Sequence, residues 1–134
     1  DLLLPFQADR QFLAFAGGLL GHWSVWTKRA VEILGRCHAV RNTPTIPRDL
    51  LLLDSAVTHS NAAFFDVANN FHGSVAGCHE VLRRQGLMAG RWCLDPNEDM
   101  SLGQSEAIDE VYRLYPELND DAFVAQNLGR WLEA

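Results

Sequence analysis

Residues 15–32, FAGGLLGHWSVWTKRAVE, begin small and apolar, pass through a glycine-rich aromatic patch and end as an amphipathic run. The reading of the middle portion decides the fold class. LLGHWSVW (19–26) is short, rich in aromatic and branched residues, and bounded by Gly18 and Thr27, so it reads as a buried strand. From Thr27, a suitable N-cap, the period changes: Ala30, Val31, Leu34, Cys37 and Val40 fall on one helical face.

Upstream, DLLLPF reads as a short buried strand ending at Pro5, or the tail of one. QADRQFLAFAGG then reads as a short helix with Phe12, Leu13 and Phe15 clustered, stopped by Gly17 and Gly18. Downstream, RNTPTIPRD breaks the helix because Pro44 and Pro47 cannot continue it, although a proline can open the next. DLLLLDSAVTHSNAAFFDVANNF is one long helix or two short ones, interrupted at Gly73. SVAGCHEVLRRQG follows as a helix with Val75, Cys78, Val81 and Leu82 inward and Gly86 as C-cap. Turn residues Asp95, Pro96 and Asn97 mark LMAGRWCLDPNEDM as an extended arm. Ser101 and Gln104 form a capping box before a helix carrying Ile108, Val111, Tyr112 and Tyr115. Asp120 or Asp121 caps a last amphipathic helix with Phe123, Val124, Leu128, Trp131 and Leu132. The expectation is a mostly α chain with one or two short strands. Two strands are not stable alone, so these belong to a larger sheet.

The composition is globular: 134 residues, 48% hydrophobic and 21% charged. A net charge of -6, a single lysine (Lys28) and scattered arginines leave no basic surface for nucleic acid. The apolar runs, such as Leu50 to Leu53, are far below the ~20 residues of a membrane span. The three cysteines (Cys37, Cys78, Cys93) lack disulfide-framework spacing, and DLLLPF lacks the charged n-region of a secretory signal. A cytoplasmic protein with reduced thiols is expected.

Chemistry is sparse. Cys37-His38 and Cys78-His79 are adjacent pairs, whereas zinc ligands need spacing that lets two side chains reach one ion. No G-x-S-x-G surrounds a serine, and Gly17-Gly18-x-x-Gly21 lacks both the phosphate-cradle order and its lysine. The acid pairs Glu98-Asp99 and Asp120-Asp121 sit at helix starts, where the dipole favours them as caps. His22 keeps two readings: a packed histidine, or a polar group at a strand end, where α/β folds place ligands.

The order of elements, with LRRQGL (82–87), RWCLDP (91–96) and SLGQSEAIDEVYRL (101–114), resembles the C-terminal portion of the dihydrodipicolinate synthase / N-acetylneuraminate lyase family of lysine-dependent class I aldolases. FLAFAGGLLGHWSVWTKRAV (12–31) is similar to that family's seventh helix, eighth barrel strand and eighth helix. The resemblance implies α/β architecture, the C-terminal part of a (β/α)8 TIM barrel, which needs about 250 residues in all. It divides the chain into residues 1–41, the last barrel strand and helix, and 42–134, a C-terminal helical region, as one structural unit. The implied activity is a Schiff-base aldolase or lyase acting on pyruvate or a related 2-keto acid, homo-oligomeric and without a cofactor. The catalytic lysine and tyrosine fall on earlier strands, and Lys28 does not match that lysine. No catalytic residue is carried over. His22, Trp23 and Ser24 would border the active-site mouth as substrate-binding residues. Gly73-Ser74-Val75-Ala76-Gly77 departs from the family's proline-rich sequence at that point. The alternative is a self-contained helical interaction module without chemistry.

Overall fold

In the computed structural model, which describes residues 2–133, the segment expected as the first helix is a hairpin. Strand β1 (Phe6–Ala8) pairs antiparallel with β2 (Gln11–Leu13), with Phe6 opposite Leu13 and Ala8 opposite Gln11. Asp9 makes the tight turn at φ 55°, a left-handed value that aspartate tolerates. Pro5 precedes the ladder instead of ending a strand, and Phe6 stacks on Phe15 at 5.6 Å. Phe12, Leu13 and Phe15 stay exposed and do not form a buried helical stripe.

The strand expected over 19–26 is also absent. Gly21, at φ +68°, turns the chain into α1 (His22–Val25), and Trp26 N–H donates to the His22 carbonyl at 2.8 Å. His22, Val25 and Trp26 are buried at i, i+3 and i+4, which is helical spacing, while Ser24 faces out. A lone strand here would leave its backbone without partners, whereas a helical turn satisfies them locally. Helix α2 (Thr27–Val40) follows at once.

Pro47 precedes α3 (Arg48–Phe64), which ends earlier than its apolar composition suggests. Asp66, Asn70 and Phe71 then take positive φ around a 3-10 turn at Val67–Asn69. Helix α4 (Ser74–Arg84) stops in a Schellman turn: Leu87 N–H bonds Leu82 O, Gly86 N–H bonds Arg83 O, and Gly86 sits at φ +78°. Its inward face is Ala76, Gly77, Glu80 and Val81, and the expected Val75 lies outside. Small residues face inward because α4 starts against the end of α3, where a Cβ on Gly77 would collide with the Phe64 carbonyl. An extended arm leads to α5 (Gln104–Leu114), a 3-10 turn at Pro116–Leu118 and α6 (Asp121–Leu132).

The result is a mostly helical α/β chain whose sheet is one two-stranded hairpin. Trp26, Phe64, Val81, Ile108, Val111 and Leu118 form the centre of the core, so α3, α4 and α5 close around the α1–α2 junction. Each such side chain contributes about 1.5–3 kcal/mol by leaving water. Among the described residues no helix is long and apolar enough to cross a membrane.

Glu80 is almost fully buried and accepts from Arg83 (2.8 Å) and Arg84 (2.9 Å), while Arg84 also reaches Asp109 on α5 at 2.6 Å. The bonds from Arg83, with those from Arg84, outweigh burial and hold its carboxyl at about 2. A lowered carboxyl stabilises the fold above its unfolded value and loses that contribution as pH falls toward 2. Glu80→Gln should cost roughly 1–3 kcal/mol near neutrality. Urea midpoints of the variant and the parent should converge between about pH 6 and about pH 2 as the parent loses this contribution. Gly77→Ala should cost about 1–3 kcal/mol in the same assay by overpacking the α3–α4 contact.

Candidate functional site

The three residues expected to border a pocket point to three different places. His22 is buried at 4% exposure, its Nδ1 is 3.1 Å from Asn61 Oδ1 on α3, and its ring meets Trp26 edge-on at 5.2 Å. Burial lowers its pKa against the smaller opposing effects of Asn61 and Asp120, which favours the neutral imidazole. Trp23 is half-buried and lays its indole over Gly18, where any Cβ would collide with it. That contact, and not a phosphate cradle, accounts for the second glycine. Ser24 is exposed, donates to the Gly21 carbonyl at 2.7 Å and lies 3.9 Å from Cys78 Sγ. These three side chains do not converge on one reacting atom.

Nor do the other titratable groups assemble a nucleophile. Lys28 is half-buried on α2, paired with Glu32 and lying over the Phe123 ring at 5.4 Å. An imine-forming lysine needs an apolar or cationic setting that lowers its pKa, and Lys28 has a carboxylate partner instead. Burial raises the thiols of Cys37 and Cys78 and disfavours the thiolate. No group of three or more His, Cys, Asp or Glu side chains among the described residues could hold a metal ion.

Two of the cavities among the described residues have the volume of a small-molecule site. One, of about 300 Å3, lies between residues 2–4 and the α2–α3 pair, lined by Leu3, Ile33, Cys37, Leu50 and Val57. Its walls are mostly apolar, with Asp54 the one carboxylate among the lining residues. The other, of about 490 Å3, lies along the arm beside Arg83, Arg91, Trp92 and Asp99. Its guanidiniums are already engaged: Arg91 pairs with Asp99 at 2.6 Å and Arg83 with Glu80 at 2.8 Å. An anion entering there would compete with carboxylates already seated on both arginines.

The densest polar chemistry lies elsewhere and was not expected from the sequence. Asp66, buried at 3% exposure, accepts from Ser101 Oγ (2.5 Å), Asn69 Nδ2 (2.7 Å) and Gly73 N–H (2.9 Å). Burial opposes its charge, but these donors and His72 together hold its carboxyl below the ordinary value. Gln104 is buried beside it, and its Nε2 faces the carbonyls of Gly73 (3.0 Å), Ala63 (3.2 Å) and Phe64 (3.3 Å). Only half of the expected capping box forms: Ser101 N–H donates to Gln104 Oε1 at 3.2 Å, while the serine hydroxyl goes to Asp66. Every atom of this cluster is spent on the chain itself, so it is a joint and not a reaction centre.

A second long-range joint caps α2. Thr27 donates to the Trp23 carbonyl and caps nothing, and Trp26 is the N-cap residue. The open N–H groups of Lys28 (2.8 Å) and Arg29 (2.9 Å) are taken by Asp120, from the turn before α6. Asn119 Oδ1 in turn receives Asp121 N–H at the start of α6.

Comparison with protein-family models, curated proteins and solved structures finds no match to this chain. Asp120→Ala should destabilise the fold by about 1–2 kcal/mol, as loss of an N-cap does. The expected observation is a lower urea midpoint together with loss of amide protection at Lys28 and Arg29.

Proposed function

We propose that this chain supplies the C-terminal helical portion of a (β/α)8-barrel, lysine-dependent aldolase or lyase acting on pyruvate or a related 2-keto acid. The observation that carries the reading is the apolar hairpin arm. Leu4, Phe6, Phe12, Leu13, Leu19 and Leu20 are all exposed on or beside a two-stranded sheet. Contiguous exposed apolar residues mark a surface that another element covers, and a two-stranded hairpin needs further strands for stability. An upstream barrel sheet would meet both needs. The order of the Schellman-ended α4, the arm through Pro96 and the helix opening near Ser101 supports the same family resemblance.

In this reading the imine forms on a lysine outside residues 1–134. The protonated imine draws electrons from the adjacent bond, so a carbon–carbon bond beside it forms or breaks. The present residues shape and cover that barrel, and subunit contacts of a homo-oligomer fall on its outer helices. A second reading, a helical interaction module, is favoured by the self-contained core, whose buried cluster runs from Val25 to Leu118 without help from the arm.

Borohydride reduction of the full polypeptide in the presence of pyruvate separates the two. A covalent adduct on a lysine upstream of this segment is the expected result. A folded polypeptide that forms no adduct, or one labelled at Lys28, would overturn the aldolase reading.

A further inference from the structure

We propose that His22 and Asn61 form an acid-sensitive latch that fixes the junction between the apolar arm and the helical body, closed while the imidazole is neutral. The inference is independent of the aldolase reading. Its first basis is position. Gly21 is where the chain turns from the arm into α1, and it packs so tightly on Asn61 that a Cβ would lie 2.9 Å from Asn61 Nδ2. The same Asn61 amide, through its Oδ1, meets His22 Nδ1 at 3.1 Å. One side chain of α3 therefore holds both the turning residue and the first residue of α1.

The second basis is what a proton would meet. Neutral His22 can donate from Nδ1 to Asn61 and leave Nε2 bare against Trp26 and Phe64, whose ring centroids lie at 5.2 Å and 6.2 Å. Nε2 has no hydrogen-bond partner among the described residues. Protonation would put a second N–H and a full charge into that aromatic box, a desolvation cost with nothing to accept the new bond. From α3 the facing groups, Asn61 and Phe64, are uncharged. From the α1–α2 junction the indole of Trp26 faces the ring, and on α2 Lys28 and Arg29 are paired with Glu32. From α4 the Cys78 thiol approaches Ser24 and is held protonated by burial. Asp120, from the turn before α6, draws the proton toward His22, but burial outweighs it.

An open junction returns His22 to water and its ordinary affinity, near 6.5. Opening is thus favoured as pH falls through that value, with the open population rising by up to about ten-fold per pH unit until the buried imidazole also titrates. Hydrogen exchange on the full chain tests this, read as protection factors corrected for intrinsic rates. Amides in 19–30, including Ser24 and Trp26, should lose protection between about pH 7.5 and about pH 5.5, while those of α5 keep theirs. His22→Phe fills the same box without a titrating group and should flatten the profile. Asn61→Asp gives Nδ1 a carboxylate, so the imidazolium is favoured and protection should rise on acidification. A flat parent profile, or the parent's slope in either folded variant, would overturn the latch. If one variant does not fold, the other decides.

Discussion

The fold depends on how closely three stretches of backbone approach one another around Gln104. Its carboxamide faces carbonyls at the end of α3 and at the start of α4, while its own backbone begins α5. Asp66 closes the other side by collecting donors from Asn69, Gly73 and Ser101. The carbonyls at a helix end are unpaired within the helix, and burying them without donors would cost ~1–3 kcal/mol each. The polar joint therefore sets the spacing, and glycine at 73 and 77 follows because a Cβ at either would enter the space of Gln104. The left-handed residues Asp66, Asn70 and Phe71 turn the chain back sharply enough to reach it. Once α5 is seated this way, Ile108 and Val111, one and two turns further on, meet Phe64 and Val81 in the core.

Away from that joint the molecule is organised differently. The helices share one buried core, but large apolar side chains are exposed both on the hairpin side, at Leu19 and Leu20, and on the helical body, at Leu51, Leu52, Leu94, Leu102 and Leu132. Glu80 pairs with Arg83 and Arg84 along α4, while Arg84 with Asp109 ties α4 to α5 and Arg36 with Asp49 spans the turn between α2 and α3. The single lysine, Lys28, is tied to Glu32 on its own helix.

What was legible in the sequence is what depends on neighbours three or four residues away. Helix α5 follows its apolar stripe and Gly86 announces the Schellman turn, while α2 and α4 follow theirs only in part, since Val31 and Val75, expected inward, are exposed. The hairpin was illegible because its two-residue turn, Asp9-Arg10, carries no glycine or asparagine, and the apolar cluster Phe12, Leu13 and Phe15 suggested a helical face. In 19–26, β-forming composition outweighed the spacing of His22, Val25 and Trp26, although that spacing was the sounder signal. The candidate site suffered similarly: a strand would have put His22 at an open end, and a helical turn places it in the core. The Gln104–Asp66 joint was hidden for another reason. Its decisive bonds, from Gln104 and Ser101, reach partners 31 to 41 positions away, and locally each looks like an ordinary cap residue.

The capping of α2 by Asp120 has a consequence for the order in which the chain acquires its shape. Ninety-two residues separate Asp120 from Lys28. A fourteen-residue helix is marginal on its own in water, and this one lacks a cap of its own. On a growing polypeptide α2 must wait, frayed at its first turn, until almost the whole segment through Asp120 has been made. Loop closure over that distance is slow compared with forming any single helix. Although α2 precedes α3, α4 and α5 in the chain, its first turn is in this sense finished after them, and the turn before α6 acts as the clasp that completes it.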